Sequence, residues 1–392
     1  MSERKKIWLG ILAVIVLFSF IVTGTVASVV ITNYDHIGRL MKIVSLIKSD
    51  YLQPVSDTQL IDGAMNGIVQ SLGDQYSVYL NPKDNQQMFE SIEGQFGGVG
   101  IVLSLKDPQH LTIVKTIPNS PAAASGIKSG DIITKVDKVE TSTISADKAV
   151  TMMRGKEGTN VTLTVYRPAT KQTLTFTLTR AIVSVPTVQG EMLPGSNDIA
   201  YINISQFASD TGTEMGQVLS QLMPKKPKGI ILDLRYNPGG ELNAAVQTAS
   251  YFIPKGPVVY IVNKYGHTDT EQAADHYLGL PLVVLVNQDS ASAAEILSGA
   301  IKDYGTGTLV GTKTFGKGIV QTIFQLDGGA GVKLTTAKYL TPKKHDINHI
   351  GIEPNVQVEL GKGQTVVQPP NSTSDFDNQL LKAIAVLKAK MK

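Results

Sequence analysis

Ser292 and Lys317 are the two residues of this chain whose types and surroundings point most directly to chemistry. Ser292 stands in Asp289-Ser290-Ala291-Ser292-Ala293-Ala294-Glu295, just past the apolar run Pro281-Leu282-Val283-Val284-Leu285-Val286-Asn287. Lys317 follows 25 residues later, in Thr314-Phe315-Gly316-Lys317-Gly318-Ile319-Val320-Gln321. A serine hydroxyl attacks carbonyls poorly until a neighbouring base takes its proton. An ordinary lysine, with a pKa of about 10.4, is neutral in roughly one molecule in 2500 at pH 7. Bringing that pKa down toward 7 costs roughly 4 kcal/mol of differential solvation, which only a desolvated pocket supplies. Phe315, Ile319 and Val320 are the apolar neighbours expected to build it. The pair reads as a nucleophilic serine served by a lysine base, the equipment of a hydrolase.

The elements that must position the pair follow from the flanking pattern. Ser292 falls where a buried strand hands over to a helix, with Ala293, Leu297, Ala300 and Tyr304 on one helical face and Gly305 as the stop. A helix start carries unpaired N–H groups and the positive end of the dipole, so the Ala293 amide is placed to serve an oxyanion hole. Gly316 and Gly318 permit tight turns beside the lysine. Taken singly, each feature also fits an ordinary helix cap or glycine-rich loop.

Composition narrows the class. At 392 residues the chain is long enough for two or three domains, and its net charge of +3 gives no nucleic-acid footprint. The absence of cysteine excludes disulfides, a cysteine nucleophile and thiolate metal sites. The six histidines (His36, His110, His267, His276, His345, His349) form no compact ligand spacing, so neither metal nor cofactor is expected. Arg4-Lys5-Lys6 precede a nearly continuous apolar run from Ile7 to Ile31, about 37 Å as a helix and longer than the roughly 30 Å hydrocarbon core. The cationic head stays in the cytoplasm and the rest crosses. A cleaved signal peptide is the alternative, since Thr25-Val26-Ala27 faintly resembles a cleavage site. Either way the bulk of the chain lies outside the cytoplasm, and the expected form is a single-pass protein of the cell membrane.

Along the rest of the chain, 32–91 reads as helical, with the stripes Ile37, Leu40, Met41, Val44, Ile47 and Leu60, Ala64, Ile68, Leu72. Residues 92–183 form a small β-rich module of short strands and turn clusters, interrupted by one helix over Ser145 to Met153 capped by Ser145 or Thr143. Residues 184–360 alternate strands (Ile199–Ile204, Gly229–Leu234, Val258–Val262, Leu282–Asn287, Thr308–Gly311) with helices (Asp210–Leu222, Glu241–Phe252, Ala291–Tyr304), the order of an α/β layer fold. Catalytic loops in such sheets sit beyond strand carboxyl ends, where Ser292 falls. A connector and an amphipathic helix with Leu380, Leu381, Ile384, Leu387 and Met391 on its apolar face fill 361–392.

Several motifs then agree. Asp62-Gly63-Ala64-Met65-Asn66-Gly67-Ile68, Gly97-Gly98-Val99-Gly100-Ile101, Ser120-Pro121-Ala122-Ala123, Gly130-Asp131-Ile132-Ile133, Asp233-Leu234-Arg235-Tyr236-Asn237-Pro238-Gly239-Gly240, Ser290-Ala291-Ser292-Ala293-Ala294-Glu295 and Phe315-Gly316-Lys317-Gly318 occur in order. Together they make the chain resemble the carboxy-terminal processing peptidases, or tail-specific proteases, serine/lysine endopeptidases that carry a PDZ domain. The resemblance covers nearly everything after residue 31. It implies an α/β protease core with a mixed sheet at 184–360, an inserted β-rich PDZ domain at 92–183, an N-terminal transmembrane helix and flanking helical segments.

The resemblance also implies roles. Ser292, rather than Ser290, is the nucleophile and Lys317 the base; Gln321 is its polar partner, although 13 Å of extended strand would separate them unless the chain bends, as at Gly318. Asp303 matches an acid that some members need, or is a solvated helix-end charge. Ala293 with Gly239 or Gly240 would form the oxyanion hole. Gly97, Gly98, Val99, Gly100 and Ile101 would receive a terminal carboxylate while the bound tail adds a strand. Arg154 sits where the family couples PDZ domain to protease, or is a surface charge. The expected partners are protein substrates with disordered apolar C-termini, the membrane through the N-terminal helix, and a second copy through the helical regions 35–91 and 376–391. Pro342-Lys343-Lys344-His345 departs from the family pattern, in a surface loop.

Overall fold

The computed structural model describes residues 36–104 and 110–391; the anchor expected at 7–31 lies outside them. Among the described residues no helix is long and apolar enough to cross a membrane. The chain divides after Tyr79 into two units. In the first, a helix over 36–50 precedes a second, Asp57–Gln70, whose first turn is capped by the Ser56 hydroxyl accepting from the Gln59 amide at 3.2 Å. The helical region expected over 32–91 is therefore not continuous. Extended residues interrupt it at 51–56 and a short strand, Val78–Leu80, ends it. The helix that follows, Pro82–Glu93, belongs to the second unit, with proline in its first turn and Gly94 in the left-handed region as its stop.

Next comes the β-rich module. Ile101–Leu103, Leu111–Thr116, Ile132–Val136, Asn160–Arg167 and Gln172–Thr179 lie side by side in that order, all antiparallel, with Ile101–Leu103 at one edge. The helix Ala146–Met153 packs its Ala149 and Met153 into a core of Ile113, Ile133, Leu163 and Val165, and Ser145 supplies its cap. Buried Asp131 secures the adjoining turn. It accepts from Nε and Nη2 of Arg167 at 2.8 and 2.7 Å and from the Lys128 amide at 2.9 Å. Arg167 first, and then the Lys128 amide, hold its carboxyl below the usual aspartate range although burial opposes them. A depressed folded-state value means stability that is present above about pH 4 and lost as pH falls through the lower value. Asp131→Asn is expected to flatten that acid limb and to cost the domain about 1–3 kcal/mol at pH 7. Thermal unfolding followed from pH 7 to 3 checks this; parallel curves for the two proteins would contradict it.

The larger domain is built on a mixed sheet of Val188–Met192, Ile199–Ile204, Gly229–Asp233, Leu282–Val286, Gly307–Gly311 and Val356–Gln357, in that spatial order. The first pair is antiparallel and the remainder parallel. Its central strands are buried on both faces, which is why they read as unbroken apolar runs. One face, including Ile230, Leu232 and Val284, packs on the helices Thr211–Leu222, Leu242–Ala249 and Ala293–Tyr304. The other, including Ile231, Val283 and Leu285, is covered by the C-terminal helix Asn378–Lys390 through Leu380, Ala383 and Leu387. That helix was expected to offer its apolar stripe to a second copy. Leu380 and Leu387 are instead buried in the chain's own core, Ile384 and Met391 pack against it partly buried, and Leu381 alone of the helix's large apolar residues stands exposed. A second, antiparallel sheet sets Ile319–Gln325 beside Gly331–Leu340, then Gly256–Asn263 and Thr268–Ala273.

Candidate active site

The parallel strands Ile199–Ile204, Gly229–Asp233 and Leu282–Val286 are neighbours, so the loops leaving their carboxyl ends emerge side by side. Those loops deliver Phe207, Gly239 with Gly240, and Ser292 with Ala293 to one cavity of about 580 Å³. Lys317, just ahead of the strand Ile319–Gln325, lines the same cavity, together with Val320, Gln321 and Tyr339 of the second sheet.

Ser292 is half-buried and has φ 53° and ψ −115°, a conformation that non-glycine residues seldom adopt and that costs about 1–3 kcal/mol. The turn into the helix Ala293–Tyr304 imposes it, the kind of tight strand-to-helix turn on which α/β-hydrolases display a nucleophile. The neighbouring serine has a different duty. Ser290 is fully buried, accepts from the Asn287 amide at 2.9 Å and donates to the Leu234 carbonyl at 2.8 Å, so it ties the Ser292 turn to the adjacent strand. Of the two serines only Ser292 lines the cavity.

The Asn237–Gly240 turn is seated against that segment. The Ala291 amide donates to the Asn237 carbonyl at 2.9 Å, and the Asn237 side chain holds the Ile204 carbonyl and the Gly239 amide, each at 2.8 Å. Gly239, at φ 93°, approaches so closely that a Cβ would lie 2.7 Å from the Ala291 oxygen and 2.9 Å from the Ala293 nitrogen. Ala293 is the first helical residue, with an amide that no intrahelical carbonyl reaches. The Gly239–Gly240 backbone and the Ala293 amide are thus packed beside Ser292. The Gly239 amide donates to the Asn237 side chain, and both glycines line the cavity.

Lys317 is half-buried and lines the cavity. Phe315, expected to shelter it, is 54% exposed; Ile319 and Val320 do line the cavity. Gln321 reaches the same cavity because the pairing of its strand with Gly331–Leu340 shifts register between Val320 and Gln321.

Two residues the sequence reading passed over hold the site together. Glu295 is fully buried and its carboxylate accepts four donors: the Thr314 hydroxyl at 2.5 Å, the Gly316 amide at 2.8 Å, and the Ser292 and Lys317 amides at 2.9 Å each. Its position three residues after Ser292, the acidic place of a capping box, was the available signal. Tyr339 directs its hydroxyl at the Ser292 carbonyl, 3.2 Å away, and at the Lys317 carbonyl. No local pattern announces that contact.

Asp303 is not brought to the cavity. It lies on the last turn of the Ser292 helix, where its carboxylate accepts from the Lys343 amide at 2.8 Å and faces His345 at 3.6 Å, anchoring the Pro342–His345 loop. Arg154, too, is remote from Ser292. It caps the helix Ala146–Met153, stacks 4.6 Å over Phe96 and faces Glu90 of the helix Pro82–Glu93 at 3.5 Å. With Val99, Gly100, Ile101 and Val150 it lines a small cavity of about 60 Å³ between the edge strand and the helix. Gly97 and Gly98 precede that groove in the strand Gln95–Gly98, paired with Ala181–Ser184. Gly100, at φ 78°, leaves no room for a Cβ, which would fall 2.2 Å from that of Ser120. Among the described residues no cluster of side chains could hold a metal ion.

Comparison with known proteins bears on both cavities. Residues 198–358 match Peptidase family S41, residues 88–166 the PDZ domain, and residues 25–84 the Activating protease CtpB N-terminal domain. Over 352 residues the chain is 36% identical to a carboxyl-terminal-processing protease of Synechocystis sp., covering 87% of this chain and 80% of that one. It is 38% identical over 331 residues to the carboxy-terminal processing protease CtpA of Bacillus subtilis, covering 84% and 70% respectively. The crystal structure of a putative S41 protease from Bacteroides fragilis resembles it with a TM-score of 0.52 over 88% of this chain and 96% of that one, at 16% identity, a likeness of fold.

Proposed function

Because this chain belongs to peptidase family S41, as a carboxyl-terminal-processing serine protease with a PDZ domain, we propose that Ser292 is its nucleophile and Lys317 its general base. The observation that carries this reading is the meeting of Ser292, Lys317, Ala293 and Gly240 around one cavity. Ser292 Oγ attacks the scissile carbonyl while Lys317 Nζ takes its proton. The oxyanion that develops is met by the Ala293 amide and a glycine amide of the Gly239–Gly240 pair. As the tetrahedral intermediate collapses, Lys317 returns the proton to the departing amine and the C-terminal fragment leaves. Water, deprotonated by the same lysine, then hydrolyses the Ser292 ester. Gln321, which lines the same cavity, would orient the Lys317 amine. Asp303 acts on loop 342–345 rather than on the reacting atoms.

The PDZ domain would receive the substrate's end. An extended tail adds a strand along Ile101–Leu103, its carboxylate faces the amides of the Gly97–Ile101 loop, and its last apolar side chain enters the small cavity beneath Val150. Arg154 at that cavity's rim, joined to Glu90, would report occupancy to the helix Pro82–Glu93, whose Met88 and Ile92 line the cavity of Ser292. With residues 7–31 as a membrane anchor, both sites would stand on the extracytoplasmic side, facing proteins with disordered apolar tails.

The test uses an unstructured polypeptide ending in an apolar residue, with its carboxylate free or amidated. The free form is expected to be cleaved with a KM at least about tenfold lower than the amidated form, a difference of about 1.4 kcal/mol. Ser292→Ala should cleave neither and retain the free-carboxylate form. Equal KM values for both forms would overturn tail recognition, and turnover by Ser292→Ala would overturn the nucleophile.

A further inference from the structure

The dyad residues are held by the same two side chains, one from each side of the peptide backbone. The Ser292 and Lys317 amides both donate to Oε2 of Glu295, each at 2.9 Å. The Ser292 and Lys317 carbonyls both face the hydroxyl of Tyr339. Nothing in the chain's connectivity requires this, because 25 residues and a change of sheet separate Ser292 from Lys317. The two partners differ in chemistry: a carboxylate oxygen accepts from both amides, and the single proton of a phenol is shared between the two carbonyls it faces. Both are removed from solvent, Glu295 fully and Tyr339 to 2% exposure. Tyr339 is placed by its own strand, since its amide donates to the Gly318 carbonyl at 3.0 Å.

We infer that Tyr339 is a positioning residue that, opposite Glu295, fixes the separation of Ser292 and Lys317 by gripping the backbone of both. The inference rests on the dyad reading above. Ser292 is in a conformation that survives only where its surroundings over-determine it, and the clamp supplies that constraint at the residue's N–H and C=O together. Burial first, and then the neighbouring Glu295 carboxylate, push the Tyr339 phenol well above its usual range. The hydroxyl therefore keeps its proton across the working pH range and always has one to donate.

The experiment compares wild type, Tyr339→Phe, Lys317→Ala and Glu295→Gln on the free-carboxylate substrate, with the Tm and the affinity of each protein for a non-cleavable tail peptide measured alongside. Tyr339→Phe keeps the ring in its core and removes only the hydroxyl. Its kcat is expected to fall by about 10- to 100-fold, the scale on which small misplacement of reacting groups acts, with KM within about twofold. Its rate of labelling by a fluorophosphonate at Ser292 should fall in parallel, while peptide affinity is unchanged. The Tyr339→Phe/Glu295→Gln double variant should lose less than the product of the two single losses, as members of one unit do. A kcat for Tyr339→Phe within about threefold of wild type, with Lys317→Ala inactive, would overturn the clamp and leave the dyad standing. Full turnover by Lys317→Ala would overturn the dyad, and the clamp with it. A Tyr339→Phe protein that loses peptide affinity and cooperative unfolding together with activity would show a role in folding alone, and would also overturn the clamp.

Discussion

Lys317→Ala is expected to lower kcat by at least about 10³-fold, because removing a member of such a catalytic unit forfeits most of its catalysis. The cavity keeps its oxyanion amides, so the residual rate should exceed that of solution hydrolysis. KM for a tail-bearing substrate should change little, since the PDZ groove is lined by Val99, Gly100, Ile101 and Val150 and not by Lys317. Lys317→Arg should fare no better: a guanidinium holds its proton at every accessible pH and cannot accept another. Steady-state assays of the two variants check both points. Near-normal turnover by Lys317→Arg would rule out lysine as the base.

Arg235→Met is expected to be the most destabilising substitution in the protease core. Arg235 is buried, donates through Nε and Nη2 to Asp233 and through Nη1 to Asp377 at 2.8 Å, and so pins the C-terminal helix to a central strand. Burial opposes its charge, but the two carboxylates more than compensate and hold the guanidinium protonated more firmly than usual. Tyr201 completes the network, its hydroxyl donating to Asp233 at 2.7 Å, with burial and then that carboxylate raising its phenol above the ordinary range. Removing the arginine strands two buried carboxylates, at a cost of about 3–5 kcal/mol and a fall in Tm on the order of 10 °C. A variant that makes the whole network apolar (Tyr201→Phe, Asp233→Leu, Arg235→Met and Asp377→Leu together) should recover much of that loss. Calorimetry of the two proteins checks it, and an unchanged Tm for Arg235→Met would contradict it. Activity should suffer as well, since Arg235 leads directly into the Tyr236–Gly240 turn that abuts Ser292.

What the sequence made legible was whatever its local signals carry. The run Leu282–Val286 followed by Ser292 gives a buried strand and a helix start, and Gly305 ends that helix as expected, in the left-handed region. The central strands and the three helices on one face were readable for the same reason: apolar periodicity and caps are contained in the segments themselves. The strands Ile319–Gln325 and Gly331–Leu340 were not, because polar and apolar residues mix along two half-exposed ladders. With them went the bulge that turns Gln321 into the cavity and the hydroxyl of Tyr339. Asp303 illustrates the reverse error. An acid near the site in sequence is carried almost three turns along a rigid helix to a different loop. The apolar stripe of Asn378–Lys390 fits an inter-subunit contact or an intrachain one equally well, and only the position of the sheet beneath it decides. Phe315 reads as a pocket wall on its apolarity, yet it lies exposed beside Gly316, whose amide donates to buried Glu295.

If Ser292 and Lys317 form the proposed dyad, Ser292 becomes acylated only because Lys317 accepts its proton. Wild type and Lys317→Ala should be mixed with a tail-bearing substrate, quenched in acid within the first turnover, digested and weighed by mass spectrometry. An ester of the substrate's N-terminal fragment is expected on the peptide containing Ser292 in wild type, lost on treatment with hydroxylamine and absent from Lys317→Ala over the same interval. An ester formed at equal rate in both proteins, or found on any residue other than Ser292, would contradict it.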